Sequence, residues 1–296
     1  MRRFSCLLVL LVSFAIAPSA GASEAVLTLE SAGSEPRQVL RVTPVVGQTE
    51  SSKVTMAVAM RMSMSGMEMP EVRMPLMLIS GTSKVESVGA NGDIVYRLAF
   101  TKADVQTGGN LPEEMRQQLS LDLQALVGVT GSVTMTSRGF STKAKMTVPK
   151  GTPKDARELI NDMSETLSDE DTPLPAEAVG VGASWTVVST ITSDEGLQIE
   201  ETTRYELASI SGSTVQLTSA ISHEPTSTKV DLDGMKLQLA KYSGSGVGAV
   251  TLDLTRVTPV VSQENLSTAL EASGTEGTFT IATDVSLVEQ SEVVKP

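Results

Sequence analysis

Apolar residues fall on every second position over long stretches of this chain. In "IVYRLAF" they are Ile94, Tyr96, Leu98 and Phe100. "LQIEETTRYEL" sets Leu197, Ile199, Tyr205 and Leu207 against Gln198, Glu200, Arg204 and Glu206. "VQLTSAI" continues with Val215, Leu217 and Ile221, and "FTIATDVSL" with Phe279, Ile281, Val285 and Leu287. A period of two, with one apolar and one Ser/Thr-rich face, predicts antiparallel strands buried on one side and wet on the other. Turn signals separate the runs: Asn91-Gly92, Glu195-Gly196, Gly212-Ser213, Asp233-Gly234 and Gly274.

Two segments follow a helical period instead. "NLPEEMRQQLSLDLQALV" predicts a helix near 111–127, with Asn110 as its N-cap, acids in its first turn, and Met115, Leu119, Leu123 and Leu126 along one line. "TPKDARELINDMSETL" predicts a second near 153–167, with Ala156, Leu159, Ile160, Met163 and Leu167 aligned after a start resembling a capping box. A polar, Pro-broken connector over 168–180 follows. Many half-apolar strands need a cover for their inner face, and two one-sided helices supply it. The expected fold is therefore mainly β (α+β): one domain over 23–296, a strongly curved antiparallel sheet or half-barrel with both helices across its concave face. A two-sheet sandwich is the alternative. "RVTPVV" occurs twice, at Arg41–Val46 and Arg256–Val261, each followed two residues later by Gln. Flanking residues, turn spacing and helices do not repeat, so this reads as one local bend used twice, with proline marking an edge or bend.

The first 22 residues change where this domain is placed. Arg2 and Arg3, the apolar run Leu7–Ala17 and the small residues Ala20-Gly21-Ala22 read as a secretory signal peptide cut near Ala22-Ser23. The mature chain is expected in the periplasm or outside the cell, and no later apolar stretch is long enough to span a membrane. Cleavage takes away Cys6, the sole cysteine, and with it thiol and disulfide chemistry. It leaves 21 basic residues against 35 acidic ones, a balance of −14. Such a chain repels nucleic acid and anionic headgroups. Aromatic residues make up 3% of the sequence, too few for the stacking platforms of single-strand or sugar binders.

The most distinctive stretch is "MAVAMRMSMSGMEMPEVRMPLM", which holds Met56, Met60, Met62, Met64, Met67, Met69, Met74 and Met77. If Ser65-Gly66 is a two-residue hairpin loop, Met64 pairs with Met67 and Met62 with Met69, all on one face with Met60. Three roles fit: core filling, a pliable apolar surface for a ligand or partner, or a Cu(I) site of Met62, Met64, Met67 and Met69, since soft thioethers favour that ion. Other patterns carry less. "GSGVGA" matches a dinucleotide fingerprint by letters, but a strand-like run follows where a helix is required. "DLDG" at Asp231–Gly234 is a turn without the remaining ligands of a calcium loop. His223, the single histidine, reads as a surface residue at a strand end. Glu200-Glu201 and Asp169-Glu170-Asp171 read as solvated surface, and no catalytic constellation emerges.

"PLPAEAVGVGASWTV", Pro173–Val187, contains Pro-x-x-x-Val-x-Val-Gly-x-Ser-Trp. Together with "GMEMPEVRMP", "VESVGANGDIVYRLAF" and "GSGVGAVTLDLTRVTPV", it resembles an uncharacterised family of exported bacterial β-rich proteins. That family's function is unknown, so the resemblance implies no catalytic or binding residue. It implies a structural role for Trp185, with the Gly182 turn starting the strand that drops the indole into the core. A bowl covered by helices also resembles periplasmic carriers of lipids and lipoproteins. The function expected is a non-enzymatic envelope protein without a cofactor, binding a lipid or acylated peptide. The candidate lining is Met60, Met62, Met64, Met67 and Met69, with Leu119, Leu123 and Met163 from the helices. Cu(I) binding by the methionines, or an assembly module with a packed core, are the alternatives.

Overall fold

The alternating runs become strands in a computed structural model that describes residues 25–152, 157, 160, 172–192, 197–232, 235–274 and 277–295. The first half carries β1 (Val26–Ser31), β2 (Gln38–Val39), β3 (Thr49–Met64), β4 (Met67–Glu68), β5 (Val72–Arg73), β6 (Met77–Val88), β7 (Ile94–Val105), α1 (Glu113–Gln124), β8 (Thr130–Met135) and β9 (Ser141–Thr147). The second carries β10 (Ala178–Val179), β11 (Ser184–Thr192), β12 (Gln198–Ser211), β13 (Thr214–Pro225), β14 (Lys229–Leu232), β15 (Met235–Asp253), β16 (Val261–Gly274) and β17 (Gly277–Val293).

All pairings are antiparallel. The main sheet runs β1-β11-β12-β13-β15-β16-β17-β3-β6-β7-β8-β9, with β14 on β15 and β4 and β5 on β3, while β2 and β10 form a small second sheet. The path is open, since β1 and β9 end it without pairing to each other. The last strand sits in the middle: β17 lies between β16 and β3, and its pairing brings Val293 opposite Glu50.

Buried apolar residues share one face of this sheet and fall into three clusters. The first joins Val85, Ile94 and Met135 of β6, β7 and β8 to Trp185, Leu207, Leu217 and Val250 of β11, β12, β13 and β15. The second holds Met56 and Val58 of β3, Met77 of β6, Val285 of β17, and Leu123 and Leu126 at the end of α1. The third gathers Leu197 and Ile199 of β12 with Leu237 and Leu239 of β15 and Leu270 of β16. Trp185 is fully buried, donates Nε1–H to the Pro173 carbonyl at 2.9 Å and stacks on Tyr205 with centroids 5.8 Å apart. Gly182 supplies the positive φ of 80° in the turn before β11.

One helix, α1, is found among the described residues. The expected second helix, 153–167, lies outside them except for Arg157 and Ile160, and Ile160 is buried in the cluster that α1 joins. The stretch expected to be a signal peptide, 1–22, also lies outside them. α1 begins later than its pattern predicts. Its N-cap is Pro112, not Asn110. The Asn110 side chain is spent on β5, accepting from the Arg73 amide at 2.7 Å and donating to the Glu71 carbonyl at 2.6 Å. Its other end tightens into i→i+3 bonds at Leu126 and Val127 before Gly128, whose φ is 89°. The first "RVTPVV" copy lies before β3, and the second leads into β16, whose first residue is its Val261.

Candidate functional site

The three clusters do not fill the inner face. Between them lies a cavity of about 440 Å³, lined by residues of β3, β6, β7, β12, β13, β15, β16 and β17 among others. Its apolar wall includes Val54, Ile79, Leu98, Phe100, Ile199, Ile221 and Leu287. Its polar wall includes Glu201, His223, Tyr242, Glu264, Glu289 and Arg256.

Strand geometry places the polar groups. Glu201 of β12 lies directly opposite His223 of β13. Tyr242 joins them through a bulge in β15 between Leu239 and Lys241, which switches the inward parity from odd to even positions. After the bulge β15 reads Gly244, Gly246, Gly248 on the inward positions, so "GSGVGA" is a strand with a bare inner edge. A Cβ on Gly244 would stand 2.6 Å from the His223 ring, and one on Gly246 would stand 2.8 Å from the Asn265 carbonyl. Glycine here lets the side chains of β13 lie across β15.

The result is a hydrogen-bonded chain. Nε2 of His223 is 2.9 Å from Oε2 of Glu201, and Nδ1 is 3.2 Å from the Tyr242 hydroxyl. A carboxylate only accepts, so Nε2 donates to Glu201, and the second bond joins Nδ1 to the Tyr242 hydroxyl. Burial, with the charge of Glu201 behind it, pushes the Tyr242 phenol up and keeps it protonated. The histidine side chain is 7% exposed. Its expected place on the surface is therefore wrong, and Glu201 likewise faces inward while Glu200 stays outside.

A second polar knot lies beside it. Glu50 of β3 is 0% exposed and accepts from the amides of Val257 at 3.1 Å and Thr258 at 2.9 Å, from Gln48 Nε2 at 2.8 Å, and from the Thr258 hydroxyl. Arg256 Nε stands 3.7 Å from it, while another guanidinium nitrogen donates to Ser291 Oγ at 2.6 Å. The two "RVTPVV" copies meet here. Gln48, just after the first, also donates to the Thr255 carbonyl, and the second supplies Arg256, Val257 and Thr258.

Two carboxyls on the wall lack such company. Glu264 of β16 and Glu289 of β17 are diagonal neighbours, since Glu264 faces Leu287 and Glu289 faces Ser262. Burial, then the charge of Glu201, pushes Glu264 up, with His223 opposing. Burial, then the charge of Glu50, pushes Glu289 up to about 7, with Arg256 opposing.

The residues expected to bind lie elsewhere and apart. Ser65 and Gly66 form the expected hairpin with φ of 50° and 80°, Met64 faces Met67, and the Met69 amide donates to the Met62 carbonyl. Met60 is buried, Met62 half-buried, and Met64, Met67 and Met69 are 40%, 75% and 43% exposed. Leu119 and Leu123 pack with Met56 and Met77 rather than with the hairpin. Met163 lies outside the described residues. None of these lines the cavity. Of the residues that do, Glu201, His223, Glu264 and Glu289 stand as polar side chains on the apolar parity of alternating strands, a signal that the sequence carries.

No family model matches the chain, and no curated protein matches it by sequence. Among solved structures it superposes on an outer membrane channel from Pseudomonas putida F1, with TM-score 0.26 and 4% identity over 85% of this chain and 98% of that one. It also superposes on OpdQ of Pseudomonas aeruginosa, with TM-score 0.21 and 6% identity over 84% and 98%, and on OccK11 (OpdR) of the same organism, with 0.23 and 6% over 87% and 100%. Superpositions this loose assign no activity, site or location to this chain.

Proposed function

We propose that this is an exported, non-enzymatic protein of the cell envelope that holds an amphiphilic ligand, such as a lipid or acylated peptide, on the inner face of its sheet. The observation that carries this reading is the cavity of about 440 Å³ left open between three packed clusters, with an apolar wall and a few convergent polar groups. That volume and lining are typical of small-molecule pockets. A sheet curved as a half-barrel accounts for β6 and β7 facing β12 and β13 across one space, and α1 covers part of the same face. The ligand's body lies against Val54, Ile79, Leu98, Phe100 and Ile221.

One observation favours carriage over membrane spanning. The opposite face is polar: Gln198, Glu200, Arg204 and Glu206 on β12, Gln216, Thr218, Ser222 and Glu224 on β13, Gln263, Asn265 and Ser267 on β16. Strands that face lipid carry apolar residues there.

The test is native mass spectrometry of residues 23–296 purified from a bacterial periplasm, with solvent extraction of the same sample. An acyl-chain mass is expected, lost in Val54→Phe, which fills the cavity from β3. A bare protein that also refuses added lipid points instead to the packed assembly module.

A second reading rests on the hairpin, which sets Met62, Met64, Met67 and Met69 on one face at its exposed tip. Four thioethers so placed suit Cu(I). Titration of Cu(I) against a competing chelator checks this: one equivalent bound, and lost in Met62→Leu/Met64→Leu, supports the metal site.

A further inference from the structure

We propose that the polar end of the ligand is a protonated amine, seated between Glu264 and Glu289 and facing Glu201 across the cavity; this rests on the ligand-carrying reading above. The wall is unbalanced in charge. Its basic side chains are Arg256 and His223. Arg256 forms an ion pair with Glu50 at 3.7 Å and donates to Ser291, although its buried Nε makes no hydrogen bond, and His223 is bonded to Glu201 and Tyr242. Glu264 and Glu289 are left with no hydrogen-bond or ion-pair partner among the described residues, on a surface that borders empty space.

Glu264 and Glu289 are half-buried, and carboxyls drawn even partly out of water are ordinarily given donors. Glu50 shows what this fold does when a carboxylate is purely structural: two backbone amides, an amide side chain, a hydroxyl and a guanidinium converge on it. Nothing comparable is supplied among the described residues to Glu289 or Glu264, one and two strands away. Burial first, and then the charge of Glu201 or Glu50, pushes their carboxyls up, and a cation seated between them would relieve both.

The missing cation is organic in size. Among the described residues no three His, Cys, Asp or Glu side chains gather closely enough to hold a metal ion. An ammonium group offers three donors and reaches both diagonal carboxylates, while the alkyl part of the same molecule lies against Ile221, Leu287 and Val54. Gly248 of β15 lines the same cavity beside Glu264 of β16. The ligand class is thus a cationic amphiphile with a primary amine, as against a fatty acid or a neutral lipid.

The test compares three probes of equal chain length below their micellar concentrations: decylammonium chloride, decan-1-ol and sodium decanoate, each titrated calorimetrically into the mature protein at pH 7.5. Decylammonium is expected to bind at least tenfold more tightly than decanol, with decanoate weakest. In Glu264→Gln/Glu289→Gln the amine should fall to the affinity of the alcohol, whose own binding stays unchanged. Glutamine removes two half-buried charges, so the variant is expected to fold, and its thermal melt verifies that. Decanol or decanoate binding as tightly as the amine, or a double variant that keeps the amine's advantage, overturns the amine assignment and leaves the cavity reading intact. Failure of all three probes overturns both.

Discussion

Glu50 and Glu289 sit on neighbouring strands and share one inward face, yet one is saturated with donors and the other has none. Their variants should therefore behave oppositely. Glu50→Ala strands two backbone amides and the Arg256 guanidinium in a dry site. Removing one partner of a buried ion pair costs about 3–5 kcal/mol, and urea unfolding at pH 7 should show a loss of that size. Glu289 is a burden wherever it is charged. Its carboxyl is faced by Glu50, by Arg256 and diagonally by Glu264. Its carboxyl, pushed up to about 7 by burial, lies above its ordinary value of 4.5, so the folded state holds its proton more tightly than the unfolded state. The penalty is absent below pH 4.5, grows as pH rises through 7, and at pH 8 reaches about 3 kcal/mol. Glu289→Gln should flatten this fall in melting temperature between pH 5 and 8 and be the more stable protein at pH 8. The inward charges were legible as parity violations once the apolar set of each strand was known. Their partners were not, because Glu50 is satisfied by residues about 200 positions away.

Elements are where the pattern of the chain was most readable. Alternation locates the long strands, and the Ser65-Gly66 turn follows from two residues that accept positive φ. What alternation does not reveal is a one-residue slip. The bulge in β15 turns Tyr242 inward, and only the paired register exposes it. The start of α1 was misplaced for a related reason: Asn110 is a good cap in isolation, but β5 competes for its side chain. The glycines of β15 give a prediction at this scale. Gly244→Ala drives a methyl against His223 Cβ, 2.7 Å away, and the strand must yield. An overpacking cost of about 1–3 kcal/mol is expected. The His223 ring resonances should shift as its bonds to Glu201 and Tyr242 lengthen. The methionine segment gives another. Met77 is buried against α1, whereas Met67 is the most exposed of the hairpin methionines. Met77→Ala should cost about 2–5 kcal/mol and Met67→Ala less than about 0.5 kcal/mol, measured by the same urea titration.

At the scale of the whole molecule, strand order decides what the chain can lose. Composition and alternation show that a sheet forms, and they are silent on its order, because every strand offers the same two-faced pattern to every other. The order found here puts the last strand at the centre. β17 is paired along its length with β16 on one side and β3 on the other, so the two halves of the sheet are joined through residues 277–293. β1, by contrast, is an edge strand, paired only with β11. Cutting each should have very different consequences. A mature chain lacking residues 23–31 gives up Leu27 and Leu29 against the first cluster and the bonds of Glu30 to Arg204 and Thr186. It should fold with a lowered urea midpoint. A chain ending at residue 276 exposes both flanks of the central pairing and opens the second cluster at Val285. It should show no cooperative unfolding transition and no β minimum in far-ultraviolet circular dichroism. The same topology makes folding wait for the C-terminus, since the β3–β17 pairing closes a loop of more than 200 residues. Refolding from urea should then be slow, on the scale of seconds or longer, as expected for sheets dominated by distant contacts. A fast, cooperative refolding of the shortened chain would mean that β3 and β16 find another arrangement without β17, and that the cavity they share is not built by this strand order.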